Sequence, residues 1–281
     1  MLVTDGRSWP PSRFGKRYYG LWDRLRAWLE LEVEVVDGAN RYRFRCQNLW
    51  EYLRCAGMFV KEPGTCAWIE QTFESGEVFY DVGANIGIYT ILAGFRVGGS
   101  GAVYAFEPHA ATFARLLDNI MANQLQGVVR PCSFALHDHT CLSHFNYRSN
   151  VPGTAGSQLA SRQLASEEAF DPTVTEIKQA TSIDALLASG EFLPPDHVKI
   201  DVDGNELLIL KGMTDLLDGP ARPRSIQVEI NQRDQAEIEP FLNSHGYRLT
   251  KNHYSRTAQK KIAKGRDPAD YAYNSIFRPA T

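Results

Sequence analysis

The 281-residue chain has no apolar run near the roughly 20 residues needed to cross a bilayer, and its opening Met1-Leu2-Val3-Thr4-Asp5-Gly6 lacks a basic segment followed by an apolar one. Neither a membrane span nor a secretory leader is expected. Cysteine is scarce. The five residues Cys46, Cys55, Cys66, Cys132 and Cys141 are odd in number and show no C-x-x-C spacing. That argues against a disulfide framework and for reduced thiols in the cytoplasm. An excess of charge is also missing, since 30 Lys and Arg stand against 33 Asp and Glu, for a net charge of −3. Such a balance carries no electrostatic footprint for nucleic acid or an anionic membrane, so neither partner is expected. Internal repeats and low-complexity runs are absent.

With 43% hydrophobic and 22% charged residues, the chain can bury a core of ordinary size. Its length suits an α/β domain of about 200 residues with a smaller N-terminal piece. Residues 1–30 are rich in Arg, Trp and Tyr. Leu21, Leu25, Trp28 and Leu29 recur there at helical spacing, which predicts a helix packed on the main domain in preference to a basic docking arm. Residues 31–36 and 41–46 read as strands joined at Asp37-Gly38-Ala39-Asn40, a hairpin signal. A helix is expected over 49–57, and Lys61-Glu62-Pro63-Gly64 breaks the chain. The expected division is an extension over 1–65 and a main domain over 66–281.

From there apolar strands alternate with helices. Strands are expected at 78–82, 102–106, 128–134, 197–202, 225–230, 247–250 and 273–278, and helices at 86–95, 110–123, 181–189, 206–217 and 235–244. This alternation predicts an α/β fold with a mostly parallel sheet covered on both faces. Ligands of such sheets bind beyond the carboxyl ends of the strands, so the chemistry belongs in the loops there. Residues 150–175, rich in Ser, Thr, Gly and Ala, are the least defined; they read as a surface loop or a lid over an acceptor.

After the first of these strands comes Asp81-Val82-Gly83-Ala84-Asn85-Ile86-Gly87. Glycine lets the backbone turn and approach a ligand closely, and the next helix offers unpaired N–H groups. Asp81 ahead of the glycines suits a ligand with a cationic end. After the next strand comes Glu107, 20 residues beyond Gly87, the distance at which an acid accepts hydrogen bonds from ribose hydroxyls. It could equally complement the dipole of the helix that follows. The third strand is followed by His137-Asp138-His139. Asp138 is placed to accept from an adenine amino group. Together with Cys141 and His144 the run suggests a metal, but the spacing is not that of a zinc site, and none is expected. After the fourth strand, Asp201, Asp203 and Asn205 alternate as in a calcium loop. The Gly and Glu required at its sixth and twelfth places are Glu206 and Gly212, so a strand end followed by a capped helix is expected instead.

The run Asp81–Thr90, then Phe106-Glu107-Pro108, then Val198–Glu206 with Leu210-Lys211-Gly212, resembles the FkbM family of methyltransferases in order and spacing. Val228-Glu229-Ile230-Asn231 and Asn274-Ser275-Ile276-Phe277 also fit, and the resemblance covers roughly residues 60–280. It implies a Rossmann-like class I methyltransferase fold: a mostly parallel seven-stranded sheet with an antiparallel last strand, here joined to a small N-terminal α+β extension. It implies S-adenosylmethionine as donor and a hydroxyl of a sugar, glycolipid or polyketide-like small molecule as acceptor. Asp203 stands where the family more often has Glu, Asn205 where Ala is common, and the 137–144 loop is unusually rich in His. Asp81, Gly83, Asn85, Gly87, Glu107 and Asp138 are then expected at the donor. Asp201, Asp203 and His137 are candidates for the base that takes the acceptor's proton, with His139 behind them. Competing readings are a nicotinamide-dependent oxidoreductase, which lacks its full G-x-G-x-x-G here, and a non-catalytic scaffold. An N-methyltransferase would usually show an Asn/Asp-Pro-Pro-aromatic run after the fourth strand, which is missing. The sequence sets no oligomeric state.

Overall fold

A computed structural model describes Leu21 and residues 31–163, 168–231 and 234–280. Apart from Leu21, the helix expected within residues 1–30 lies outside the described residues, as do positions 164–167 of the 150–175 stretch. Strands β1 (Leu31–Asp37) and β2 (Asn40–Cys46) form the expected antiparallel hairpin. Alternation along β2 turns Tyr42, Phe44 and Cys46 into a core shared with Trp68, Phe79 and Ile91. Helix Ala110–Ala122 secures that placement: Asn119 Oδ1 accepts from the Arg45 N–H at 2.8 Å, and Asn123 Oδ1 from the Arg43 N–H at 2.9 Å.

Helix Leu49–Ala56 opens with a reciprocal cap between Asn48 and Glu51. Glu51, fully buried, also pairs with Arg115 at 2.8 Å. The short helix Met58–Lys61 follows, and then Pro63 opens a further helix, Pro63–Thr72. Proline's missing N–H is harmless at a first helical position, so the residue read as a break in the sequence also begins an element.

Three parallel strands come next: β3 (Val78–Val82), β4 (Ala102–Phe106) and β5 (Val129–Cys132). Residues 135–181 then leave this sheet and build a second one from β6 (Ala135–Leu136), β7 (Cys141–Tyr147), β8 (Gln158–Leu159) and β9 (Val174–Thr181), in the order β6-β9-β7-β8. The chain returns with β10 (His197–Ile200), β11 (Ser225–Ile230), β12 (Tyr247–Tyr254) and β13 (Tyr273–Pro279). The main sheet has the order β12-β13-β11-β10-β3-β4-β5, with β13 antiparallel to both neighbours.

Successive side chains of β3 and β4 point to opposite faces. Phe79, Val103 and Ala105 enter one core with Trp68, Phe73 and Ile91, while Tyr80, Val82, Tyr104 and Phe106 enter the other with Leu210 and Met213. Burial on both faces is why these strands read as unbroken apolar runs. The helix expected over 206–217 is two, Glu206–Lys211 and Thr214–Asp218. The chain turns at Gly212, where a Cβ would lie 2.1 Å from the His137 carbonyl oxygen. The stretch Arg256–Ile262, which carries Lys260 and Lys261, is a helix capped by Ser255. No helix among the described residues is long and apolar enough to cross a membrane, and the five cysteines are free thiols.

Candidate active site

The loops beyond β3, β4 and β10 meet at the carboxyl edge of the sheet. Gly83 and Ala84 both donate to the Phe106 carbonyl at 3.0 Å, which ties the β3 loop to β4. On the other side the β3 loop touches β10: Gly83 has φ 80°, and a Cβ on it would lie 1.9 Å from the Asp201 carbonyl oxygen. Only glycine fits that approach. Asn85 is also left-handed, with φ 51°. Glu107 closes the arrangement by accepting from the Asn85 N–H through Oε2 and from the His109 N–H through Oε1, each at 2.8 Å. Its carboxyl is buried, which pushes it up to about 7 despite those two donors.

A cavity of about 700 Å³ lies above this junction. Gly83, Asn85, Glu107, Asp201 and Asp203 all line it, so the fold brings together five of the nine residues singled out in the sequence. Phe106, Phe134, Leu136 and Ile209 supply apolar walls. The second sheet forms the far side through Phe145, Leu159 and the 154–157 segment. That segment is fastened at both ends of the cavity: Asn85 Nδ2 donates to the Thr154 carbonyl at 3.2 Å, and the Gly156 N–H donates to Asp203 Oδ2 at 2.8 Å. Flat apolar walls with a carboxylate at one edge suit a nucleoside.

A second cavity of about 420 Å³ adjoins the first, and Gly83, Asn85 and Asp201 line both. Its other walls include Arg54, Lys61, Glu62, Tyr89 and Lys199. Lys199 is fully buried with its ammonium 3.1 Å from Asp201 and 3.6 Å from Asp81. Burial alone would lower its pKa, but the two carboxylates outweigh burial and hold it charged, above the ordinary lysine value. The same pairing holds Asp201 below the usual carboxylate range although burial works the other way. Asp203 is raised, first by burial and then by the charge of Asp201. The strand-end acids therefore differ: Asp201 is a stabilised carboxylate beside a fixed cation, and Asp203 is a carboxyl that holds its proton more readily.

Four expected site residues line neither cavity. Asp81 is fully buried beneath the loop, where Thr90 Oγ1 donates to it at 2.6 Å. Gly87 heads helix Ile88–Val97, and a Cβ there would come within 2.7 Å of Leu116, so its visible task is packing against helix Ala110–Ala122. His137 and Asp138 lie on a turn outside the cavities. Asp138 Oδ1 there takes His137 Nδ1 at 2.5 Å and also His139 Nδ1, and the three ligand atoms lie within 4.8 Å of one another. Conversely, Arg54, Glu62, His109 and Lys199 line the cavities unforeseen. Lys199 had a visible signal: a lone cation in an apolar strand must have a buried partner.

The strand order, the single antiparallel strand and the glycine loop at the β3–β10–β4 junction define a Rossmann-like class I methyltransferase. Residues 81–249, more than half of the chain, match the methyltransferase FkbM domain. This chain belongs to the FkbM methyltransferase family. It is 29% identical over 201 residues to the hexuronic acid methyltransferase AglP of Haloferax volcanii, covering 69% of this chain and 76% of that protein. It is 27% identical over 198 residues to the 31-O-demethyl-FK506 methyltransferase FkbM of Streptomyces tacrolimicus, covering 61% and 73%. Among solved structures, methyltransferase FkbM from Methylobacillus flagellatus KT superposes with a TM-score of 0.47 at 15% identity, covering 72% of this chain and 44% of that one.

Proposed function

We propose that the protein transfers a methyl group from S-adenosylmethionine to a hydroxyl oxygen of a sugar or polyketide-like small molecule. The observation that carries this reading is the position of Asp201, whose carboxylate lines both cavities at the point where they meet. The larger cavity suits the donor's adenosine, with Glu107 at the ribose and Phe106, Phe134 and Leu136 around the base. The smaller one suits the amino-acid end. Glu62 is buried there with Oε2 free of hydrogen bonds among the described residues, and such an oxygen suits an ammonium donor. The two relatives named above differ in acceptor, one being a hexuronic acid methyltransferase and the other a 31-O-demethyl-FK506 methyltransferase. Both are consistent with a hydroxylated small molecule here.

Bound S-adenosylmethionine would supply a methyl already activated on a sulfonium. The rest falls to the chain's own residues. Orientation of the acceptor oxygen along the methyl–sulfur axis is the larger contribution, worth up to roughly 7–11 kcal/mol in well-aligned cases. Asp201, kept ionised by Lys199, would accept the hydroxyl proton of an acceptor aligned with that methyl. General-base help of this kind contributes about 10²–10⁴-fold. Asp203 holds the 156–158 segment through Gly156 and Gln158 and so shapes the wall facing Asp201.

Calorimetric titration with S-adenosylhomocysteine and, separately, NAD tests the donor assignment. Binding of the first alone, weakened in Glu107→Ala, is the expected result. Binding of NAD alone would replace this reading with the oxidoreductase, and tight S-adenosylhomocysteine binding without turnover on any hydroxylated acceptor would replace it with the scaffold.

A further inference from the structure

A third cavity, an open groove of about 1440 Å³, leads away from the site. It shares Thr154 and Ala155 with the first cavity and Arg54 and Lys61 with the second, so it adjoins both of the cavities that meet at Asp201. Every charged residue lining it is a cation: Arg54, Lys61 and Arg148. In a chain of net charge −3 this is a local reversal of sign. Arg148 is exposed and makes no ion pair among the described residues. Arg54 also lacks a carboxylate partner among them. Its Nε donates to the Gly153 carbonyl at 2.5 Å, which fixes the plane of the guanidinium and leaves the terminal nitrogens available. Lys61 is shared with Glu62 at 3.0 Å. The groove's floor is apolar and open: Trp50 is 56% exposed. A fixed guanidinium, a free one beside it and an aromatic face form a receptor for an anion carried on a ring.

We propose that the acceptor is an anionic hydroxylated ring, a sugar bearing a carboxylate or a phosphate. Arg54 and Arg148 hold the anion and Trp50 carries the ring while a neighbouring hydroxyl is presented to Asp201. The proposal rests on the O-methyltransferase reading above and adds the charge of the substrate to it. The anion fixes the ring's register in an otherwise wide groove, and register decides which hydroxyl meets the base.

The test uses the full chain, with and without S-adenosylhomocysteine, titrated by NMR with methyl glucuronide, glucose 1-phosphate and neutral methyl glucoside. Charged probes are expected to bind about tenfold or more tighter than the neutral one, the equivalent of one charge-assisted hydrogen bond. That advantage is expected to vanish in Arg148→Gln, an exposed site where folding is not at stake, and in Arg54→Gln. Trp50→Ala weakens charged and neutral probes alike. The tighter of the two charged probes identifies the anion as carboxylate or phosphate. Equal binding of charged and neutral probes, no binding of either charged probe, or an unchanged preference in Arg148→Gln overturns the proposal. Failure of S-adenosylhomocysteine to bind sinks the donor reading instead, and the charged-against-neutral comparison on the free protein still decides this one.

Discussion

Lys199 and Asp81 occupy paired positions on adjacent parallel strands, with the ammonium 3.6 Å from the carboxylate and both side chains buried. The same ammonium lies 3.1 Å from Asp201, so one cation neutralises a structural acid beneath the glycine loop and a functional candidate above it. Lys199→Met leaves two carboxylates facing each other in the interior. Loss of one partner from a buried pair costs roughly 3–5 kcal/mol, and urea denaturation of Lys199→Met should show a loss of that size. Lys199→Met combined with Asp81→Asn should recover part of it. A single variant as stable as the wild type would mean that water, not Lys199, compensates Asp81.

Glu107 joins donor recognition to pH. Its carboxyl is raised to about 7 by burial. If the ionised form accepts the donor's ribose hydroxyls, affinity for S-adenosylhomocysteine should fall by up to tenfold per pH unit below about 7. Glu107→Gln should bind about tenfold or more weakly at pH 8 and lose the pH dependence. Titration calorimetry between pH 6 and 8 reads both effects.

Much of this arrangement was legible in the sequence, for physical reasons. Val78–Val82 and Ala102–Phe106 are found where expected because strands buried on both faces are unbroken apolar runs. Gly83, Glu107 and Asp201 line one cavity because each follows a parallel strand at its carboxyl end, where such sheets place ligands. The second sheet was not legible. Leu142 is 75% exposed and Ile177 60% exposed on β7 and β9, so apolarity there does not track burial and no clean alternation survives. Arg54 and Glu62 were missed for another reason: they precede the first sheet strand by many residues, and only tertiary packing brings them to Asp201. His137 and Asp138 follow a strand as the site rule requires, but that strand is β6, which pairs with β9 in the second sheet, and the turn beyond it lies outside the cavities.

His197 supplies a pH effect on stability independent of ligands. Trp68 Nε1–H donates to Ser225 Oγ at 2.9 Å, the Ser225 hydroxyl donates to His197 Nδ1 at 2.8 Å, and His197 Nε2–H donates to Glu77 at 3.0 Å. One neutral tautomer satisfies the whole chain, and the ring stacks on Phe73 with centroids 4.2 Å apart. Burial pushes its pKa down from the ordinary 6.5 to about 4. A depressed histidine adds stability above its unfolded pKa, because at lower pH the unfolded chain gains a proton that the folded one refuses. That contribution, on the order of 3 kcal/mol, should disappear as pH falls from about 6.5 to about 4. The wild-type advantage over His197→Gln should shrink across the same window in thermal melts. A constant difference would show that His197 acts only by packing.

Gly83 tests whether the loop geometry itself is required. Its φ of 80° is costly for any residue with a Cβ, and that Cβ would sit 1.9 Å from the Asp201 carbonyl oxygen. Strain of about 1–3 kcal/mol adds to overpacking of similar size, so Gly83→Ala should destabilise by roughly 2–6 kcal/mol. It should also displace Asp201 from the junction of the two cavities. Gly127→Ala is the control, because a Cβ there meets nothing within 4 Å. The expected pattern is a lowered melting temperature and lost S-adenosylhomocysteine binding for the first and wild-type behaviour for the second. If Gly83→Ala bound S-adenosylhomocysteine normally, the close approach of the β3 and β10 loops would have no part in holding the donor.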